Sequence, residues 1–268
     1  MIHLRKILKK NPCPAQPFPF SLPVLEAFRS IDFESPVTFF VGENGSGKST
    51  ILEAIAAGCR LPAVGGKDVE RDETLVHARA LAAYLSFSWT ARHRRGFFLR
   101  AEDFFTFVRR IQTERRELTE LEQDLGASHQ GYGRQLAMGM ARGQRSALEQ
   151  RYGEDLDANS HGESFLKVFA SRVVPNGLYV LDEPETPLSP QRQLALLAFL
   201  LDATRDGSQF IIATHSPILM AYPGADIYCF DQGCIRNTPY DQLDHVIFTR
   251  DFLNAPGRFL RHLSESED

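Results

Sequence analysis

Apolar and polar positions alternate at the start of the chain, with Ile2, Leu4 and Ile7 apolar, and predict an edge strand. After a proline-rich connector (Pro12 to Pro23), "VTFFVG" (Val37 to Gly42) is a continuous apolar run of β-branched and aromatic residues, the pattern of a buried strand. A glycine-rich turn follows, and "KSTILEAIAAG" predicts an apolar-faced helix ending at Gly58. Residues 72–90 predict a second helix. From Phe104 the apolar positions Phe107, Ile111, Leu118, Leu121 and Leu125 recur at three- and four-residue steps. They predict an amphipathic helix of about five or six turns, interrupted at Glu114 and Arg115 and too short for a coiled coil. Residues 126–143 hold five glycines and predict a mobile connection within a helical insert. The second half reads strand ("GLYVLDEP"), helix ("PQRQLALLAFLLDAT"), strand ("QFIIATH") and strand ("DIYCF").

Strands alternating with helices predict an α/β fold with a mostly parallel sheet and ligands at the carboxyl ends of its strands. The 268 residues suit one large domain or a core with a sizeable insertion. With 43% apolar and 24% charged residues, the composition is that of a globular core. A net charge of −4 gives no general attraction to nucleic acid or acidic membranes. Cys13, Cys59, Cys229 and Cys234 form no CxxC pair, which argues against zinc and against a disulfide framework. No apolar run is long enough to span a bilayer, and the N-terminus lacks a signal-peptide pattern, so a cytoplasmic location is expected.

"GENGSGKS" fits G-x-x-x-x-G-K-[ST] at every fixed position and lies between a predicted strand and helix. Gly42, Glu43, Asn44, Gly45, Ser46, Gly47 and Thr50 then form a loop whose N–H groups cradle phosphates. Lys48 neutralises the β- and γ-phosphates, and Ser49 offers its hydroxyl to Mg²⁺. "LYVLDEP" delivers Asp182 and Glu183 to the ligand edge of the sheet, Asp182 to hold Mg²⁺ and Glu183 to orient and deprotonate water. His215 ends the strand of "IIATHSP", where it can report the γ-phosphate through a hydrogen bond.

The stretch "NSHGESF" (Asn159 to Phe165) has the Gly-x-Ser of a nucleophile elbow, but Leu166 stands where the second glycine belongs. It leads into the helical "SFLKVFASRV" instead of following a strand, which favours an anion site of backbone N–H groups.

The order of phosphate loop, helical insert, small-residue turn, Asp–Glu strand and histidine resembles that of ABC-type ATPases. The phrases "VTFFVGENGSGKST", "FFLRAEDFF", "SHGESF", "LDEPETPLSPQRQLALL" and "ATHSPIL" closely resemble the bacterial AAA family ATPase group akin to the SMC branch. The resemblance implies a P-loop NTPase with a nucleotide core of 1–71 and 173–268, and a helical subdomain of 72–172 that ends in the signature motif. It implies that Ser160, Gly162, Glu163 and Ser164 bind the γ-phosphate held by a second copy, giving an ATP-sandwiched homodimer. It implies ATP and Mg²⁺ as cofactors, with Lys48, Glu183 and His215 as the catalytic set. The glutamine that such proteins place on Mg²⁺ is missing between Lys48 and Gln112, leaving Arg100 or Glu102 in its place. Phe18 and Phe20 are open to stacking on adenine or to core burial.

Between Ala91 and Arg116 stand Arg92, Arg94, Arg95, Arg100, Arg109, Arg110, Arg115 and Arg116, against three acids. Two readings stay open: a grip on a DNA backbone, or a solvated face with salt bridges, which is the commoner case. The 134 residues from Lys48 to Asp182 argue against an AAA+ or RecA-type motor. A transporter ATP-binding subunit and a nucleotide-switched binding module remain as alternatives to an ATPase of DNA maintenance or defence.

Overall fold

The computed structural model describes residues 1–64, 75–90, 95–128, 138–140, 142–148 and 161–264. Two sheets organise them. The smaller is antiparallel and runs β2-β1-β4, from β1 (Leu4–Lys9), β2 (Ser30–Asp32) and β4 (Leu85–Trp89). The larger joins β3 (Val37–Val41), β5 (Gly96–Arg100), β6 (Leu178–Asp182), β7 (Gln209–Ala213), β8 (Asp226–Cys229) and β9 (Arg236–Asn237). Its order is β5-β6-β7-β3-β8-β9, parallel throughout except for the β8–β9 pair. This is the α/β architecture with a mostly parallel sheet that the alternating pattern predicts, and the P-loop NTPase fold that the resemblance implies.

Among the described residues, the helices include α1 (Pro23–Ala27), α2 (Lys48–Cys59), α3 (Val76–Ala83), α4 (Ala101–Ser128), α5 (His161–Arg172), α6 (Pro190–Arg205), α7 (Pro217–Met220), α8 (Asp244–Asn254) and α9 (Pro256–Ser264). Because successive strand residues face opposite ways, the large sheet buries two cores. On one side Phe97, Leu99, Tyr179, Leu181, Phe210 and Ile212 pack with α4, α5 and α6. On the other, Phe98, Val180, Ile211 and Phe40 meet α2 and the small sheet's Leu4, Ile7 and Ile31.

Several sequence expectations are revised here. β1 is the middle strand of its sheet, not an edge, because β4 pairs along its free side. The helix predicted over 72–90 is α3 followed by β4. "LSFSW" alternates apolar and polar residues with period two, and β1 offers it an open ladder. β5 falls inside the stretch expected to be a helical subdomain, yet it is a strand of the main sheet. The amphipathic helix is longer than expected, at 28 residues, and only its first part is anchored in the core: Phe104, Phe107 and Ile111 are buried, while Leu121 is exposed. The glycine-rich connection expected over 126–143 lies largely outside the described residues.

Register sets what the sheet presents. Arg100 pairs with Asp182, Asp182 with Ala213, and Ala213 with Phe40, so the carboxyl ends of β5, β6, β7 and β3 finish nearly level. The residues that follow each strand meet along that edge.

Candidate functional site

The loop after β3 carries residues 42–47 into the start of α2. Gly42 (φ +138°) and Gly47 (φ +97°) occupy backbone conformations that side chains avoid. A Cβ on Gly42 would sit 2.7 Å from Asp231 Oδ1, and one on Gly47 would sit 2.8 Å from Val24 Cγ1. Glu43, Asn44 and Gly45 form the exposed tip. Lys48 is buried and turns back on the loop, its Nζ donating to Gly42 O at 2.7 Å and Glu43 O at 2.8 Å. Burial lowers its pKa, opposed by the charges of Glu183 and Asp182.

Ser49 Oγ donates to Asp182 Oδ1 at 3.2 Å, across 133 residues of sequence. Burial raises the Asp182 carboxyl to about 6, against the pull of the Ser49 hydroxyl. One carboxylate beside one hydroxyl is the donor set of a hard cation that keeps most of its waters and takes its other oxygens from phosphates. No cluster of three or more metal-binding side chains occurs among the described residues. The pair therefore fits Mg²⁺ brought in with a nucleotide.

Glu183 follows Asp182 in a left-handed conformation (φ +49°), uncommon for a residue with a side chain. Its N–H is fixed to Ala213 O at 2.9 Å. Its Oε1 lies 3.8 Å from His215 Nε2. Burial, then the charge of Lys48, lowers the pKa of His215, so near neutral pH the imidazole is neutral and the contact is not an ion pair. Ser49, Asp182, Glu183, Thr186, Glu53, Arg100 and Glu102 line one cleft, so the expected metal and water-orienting residues do converge.

Three neighbours escape sequence reasoning. Glu185 Oε1 accepts the backbone N–H of His215 at 2.7 Å. Asp231, just beyond β8, accepts the Glu43 N–H at 2.9 Å and holds the phosphate loop from behind. Ser216 Oγ caps α7 by accepting the Leu219 N–H at 3.1 Å, and donates to Gln193 Oε1 at 2.6 Å, tying the histidine segment to α6. The Glu185, Asp231 and Ser216–Gln193 contacts join a side chain to a partner 23 to 188 positions away and leave no local periodicity to read, whereas the Ser216 cap of α7 is local.

The turn that opens α5 is less uniform than its resemblance implies. Ser160 lies outside the described residues. Gly162 is packed so that a Cβ would come within 2.7 Å of Pro187 O. Glu163 faces outward, paired with Lys167 Nζ at 2.9 Å and Arg192 Nη2 at 3.6 Å. Ser164 is a correction: it is buried on the helix face it shares with Val168, one turn on, and so does not present its hydroxyl to a ligand at the surface. Of the aromatics considered for adenine, Phe20 is in the core, while Phe18 is exposed and meets His77 edge-on at 4.9 Å. The arginine stretch divides as well. Arg92 and Arg94 lie outside the described residues and Arg100 is buried in the cleft. Arg109, Arg110 and Arg116 are exposed on α4 together with Glu114, Glu117 and Glu120.

An AAA-domain family model matches residues 25–122. A second, described as "AAA domain, putative AbiEii toxin, Type IV TA system", matches residues 164–221. The chain is 26% identical over 211 residues to an uncharacterised ABC transporter ATP-binding protein of Haemophilus influenzae, covering 74% of this chain and 71% of that one. Similar solved structures include a nucleotide-free ATP-binding cassette from an ABC transporter, at 19% identity and TM-score 0.48, covering 90% of this chain and 93% of that one. The Smc head domain of Pyrococcus furiosus bound to the C-terminal domain of ScpA matches at 12% identity and TM-score 0.46, covering 89% and 96%. The AAA-domain family models and the ABC transporter ATP-binding relative are matches of the kind that the resemblance to ABC-type ATPases implies. No helix among the described residues is long and apolar enough to cross a membrane.

Proposed function

We propose that this chain, an ATP-binding domain of the ABC and SMC-like type, hydrolyses ATP to ADP and phosphate. The observation that carries the reading is the Ser49–Asp182 pair at 3.2 Å with Glu183 next in sequence and His215 3.8 Å from it. In this reading the loop from Gly42 to Thr50 and the Lys48 ammonium hold the β- and γ-phosphates. Ser49 and Asp182 hold Mg²⁺, which when bound neutralises charge building on the phosphate oxygens. Glu183 orients a water and accepts its proton as the water oxygen bonds to the γ-phosphorus and the bond to the β–γ bridging oxygen breaks. His215, neutral near pH 7, donates a hydrogen bond to the γ-phosphate. The strained backbone at Glu183 suits this role, because it fixes the direction of the carboxylate before substrate arrives.

The reading takes two copies of the chain, with the outward side of the α5 turn (Ser160, Gly162 and Glu163) set against the partner's nucleotide. Ser164 supports that turn from inside. The working division is a nucleotide core of 1–71 and 173–268 completed by β5, with the remainder of 72–172 as the helical subdomain. The role we favour is a non-transporter one, in defence or DNA maintenance, which the toxin–antitoxin description of the second family model supports. The Haemophilus relative favours a second reading, the ATP-binding subunit of a transporter. Co-purification with a membrane subunit separates the two.

Phosphate release by the purified chain with ATP and Mg²⁺ tests the activity. Glu183→Gln is expected to abolish turnover while retaining ATP and trapping a dimer by light scattering. Full turnover in that variant removes Glu183 from the mechanism. A monomer in the presence of ATP and Mg²⁺ removes the second copy.

A further inference from the structure

The cleft around Ser49 and Asp182 contains a buried guanidinium that the reaction described above does not use. Arg100 closes β5 in register with Asp182 on β6. Its side chain is 10% exposed, and Nη2 meets Glu53 Oε1 at 3.0 Å while Nη1 lies 3.5 Å from Glu102 Oε1. Glu53 stands one helical turn after Ser49 on α2, so it faces the same cleft. The guanidinium also lies over the Phe98 ring, 5.5 Å from its centroid, which fixes its plane. Glu53, Glu102, Asp182 and Glu183 thus line a cleft in which Arg100 is the cation among the described lining residues.

The four carboxylates lining the opening attract divalent ions by their charge, although no three metal-binding side chains among the described residues are placed to cage one. A cation held on the strand residue paired with Asp182 opposes that, since its charge acts on the Asp182 carboxyl and a partly buried site screens it less than water does. We infer that Arg100, held by Glu53, is a positioning residue that keeps the cleft from taking a divalent cation until a triphosphate brings one. The triphosphate adds the negative charge that outweighs the guanidinium, so metal and nucleotide enter together. This inference rests on the assignment of Ser49 and Asp182 to the metal.

Mn²⁺ titration followed by electron paramagnetic resonance, with and without a non-hydrolysable ATP analogue, tests it. Without nucleotide, Arg100→Gln is expected to bind Mn²⁺ about tenfold more tightly than the wild-type chain. Arg100→Lys, which keeps the charge, is expected to follow the wild type. Glu53→Gln, which leaves Arg100 less neutralised, is expected to bind Mn²⁺ more weakly. A merely structural role would move Arg100→Gln and Glu53→Gln in the same direction. Unchanged or weaker Mn²⁺ binding in Arg100→Gln that still binds a fluorescent ATP analogue overturns the inference, as does tighter binding in Glu53→Gln. Either result leaves the metal assignment standing. A wild-type chain that takes no Mn²⁺ even with the analogue removes the assignment and the inference together.

Discussion

Gln209 and Leu4 exchange two hydrogen bonds between the sheets: the Leu4 N–H donates to Gln209 Oε1 and Gln209 Nε2 donates to Leu4 O, each at 2.9 Å. Oε1 also accepts the His3 N–H at 2.8 Å. Gln209 is wholly buried at the start of β7, so one side chain satisfies three backbone groups of the small sheet inside the core. Gln209→Leu would keep the approximate volume and leave those groups unpaired away from water. The expected loss is about 2–4 kcal/mol in urea unfolding, with nucleotide affinity little changed in the folded fraction, because the carboxyl end of β7 is far along the strand.

The phosphate loop gives a prediction about backbone space. Gly42→Ala places a Cβ at 2.7 Å from Asp231 Oδ1 and 3.3 Å from Phe230 N, on a residue with φ +138°. Phe230 N is itself bonded to Val41 O at 2.8 Å and has little freedom to retreat. The loop has to move, and Lys48 loses the carbonyls that hold its ammonium. A fluorescent ATP analogue should bind Gly42→Ala at least about tenfold more weakly, with the thermal midpoint lowered by only a few degrees. Wild-type affinity in Gly42→Ala would mean that the loop's position relative to Asp231 is immaterial to binding.

Those two cases mark what the chain discloses in its order of residues and what it does not. The phosphate loop is legible because its demands are local: small residues for close approach, Lys48 and Ser49 at fixed offsets, and an apolar strand before a helix. The same holds for Asp182 and Glu183, delivered by a strand of Leu178, Tyr179, Val180 and Leu181. Residue 209 gives no such signal, since its partners are 205 and 206 positions away. Nor does Asp231, 188 positions from the N–H it accepts. β4 was hidden for a different reason: its five residues follow a true helical segment directly, and pairing with β1 decides their conformation. Ser164 reads as part of a polar turn because the six polar or small residues Asn159 to Ser164 precede Phe165, and only the helical phase of α5 separates the outward Glu163 from the inward Ser164.

Glu185 supplies a test of the histidine's placement. Burial raises its carboxyl pKa, and it accepts the His215 N–H at 2.7 Å. Glu185→Gln keeps an acceptor oxygen, whereas Glu185→Ala removes it and frees the backbone that aims His215. Under the proposed mechanism Glu185→Ala should lower kcat about tenfold or more while KM for ATP changes less, and Glu185→Gln should retain most of the turnover. Steady-state phosphate release on both variants decides it. An equal loss in the two would mean that charge at this position, not the hydrogen bond to His215, is what matters.

The alkaline limb of stability should report the end of β8. Burial, then the hydrogen bond that Cys229 Sγ donates to Asp231 Oδ2 at 3.0 Å, pushes the thiol from its ordinary 9.0 to about 11. Burial also pushes Tyr228, whose hydroxyl donates to Asp32 O at 2.6 Å, to about 12. Both groups are favoured in their neutral form by the fold, so the folded chain holds protons that the unfolded chain releases first. The stabilisation is therefore complete below pH 9 and is lost as pH rises from 9 through about 11 for the thiol and from 10 through about 12 for the phenol. Urea midpoints measured from pH 7 to 11 should fall above pH 9, and Cys229→Ser should flatten the part of that fall due to the thiol. Because alkylation needs the thiolate, iodoacetamide at pH 8 should modify Cys229 in the folded chain about a hundredfold more slowly than a thiol of ordinary pKa. Rapid alkylation of Cys229 by mass spectrometry at that pH would mean that the Asp231 contact, and with it the support behind the phosphate loop, opens freely in solution.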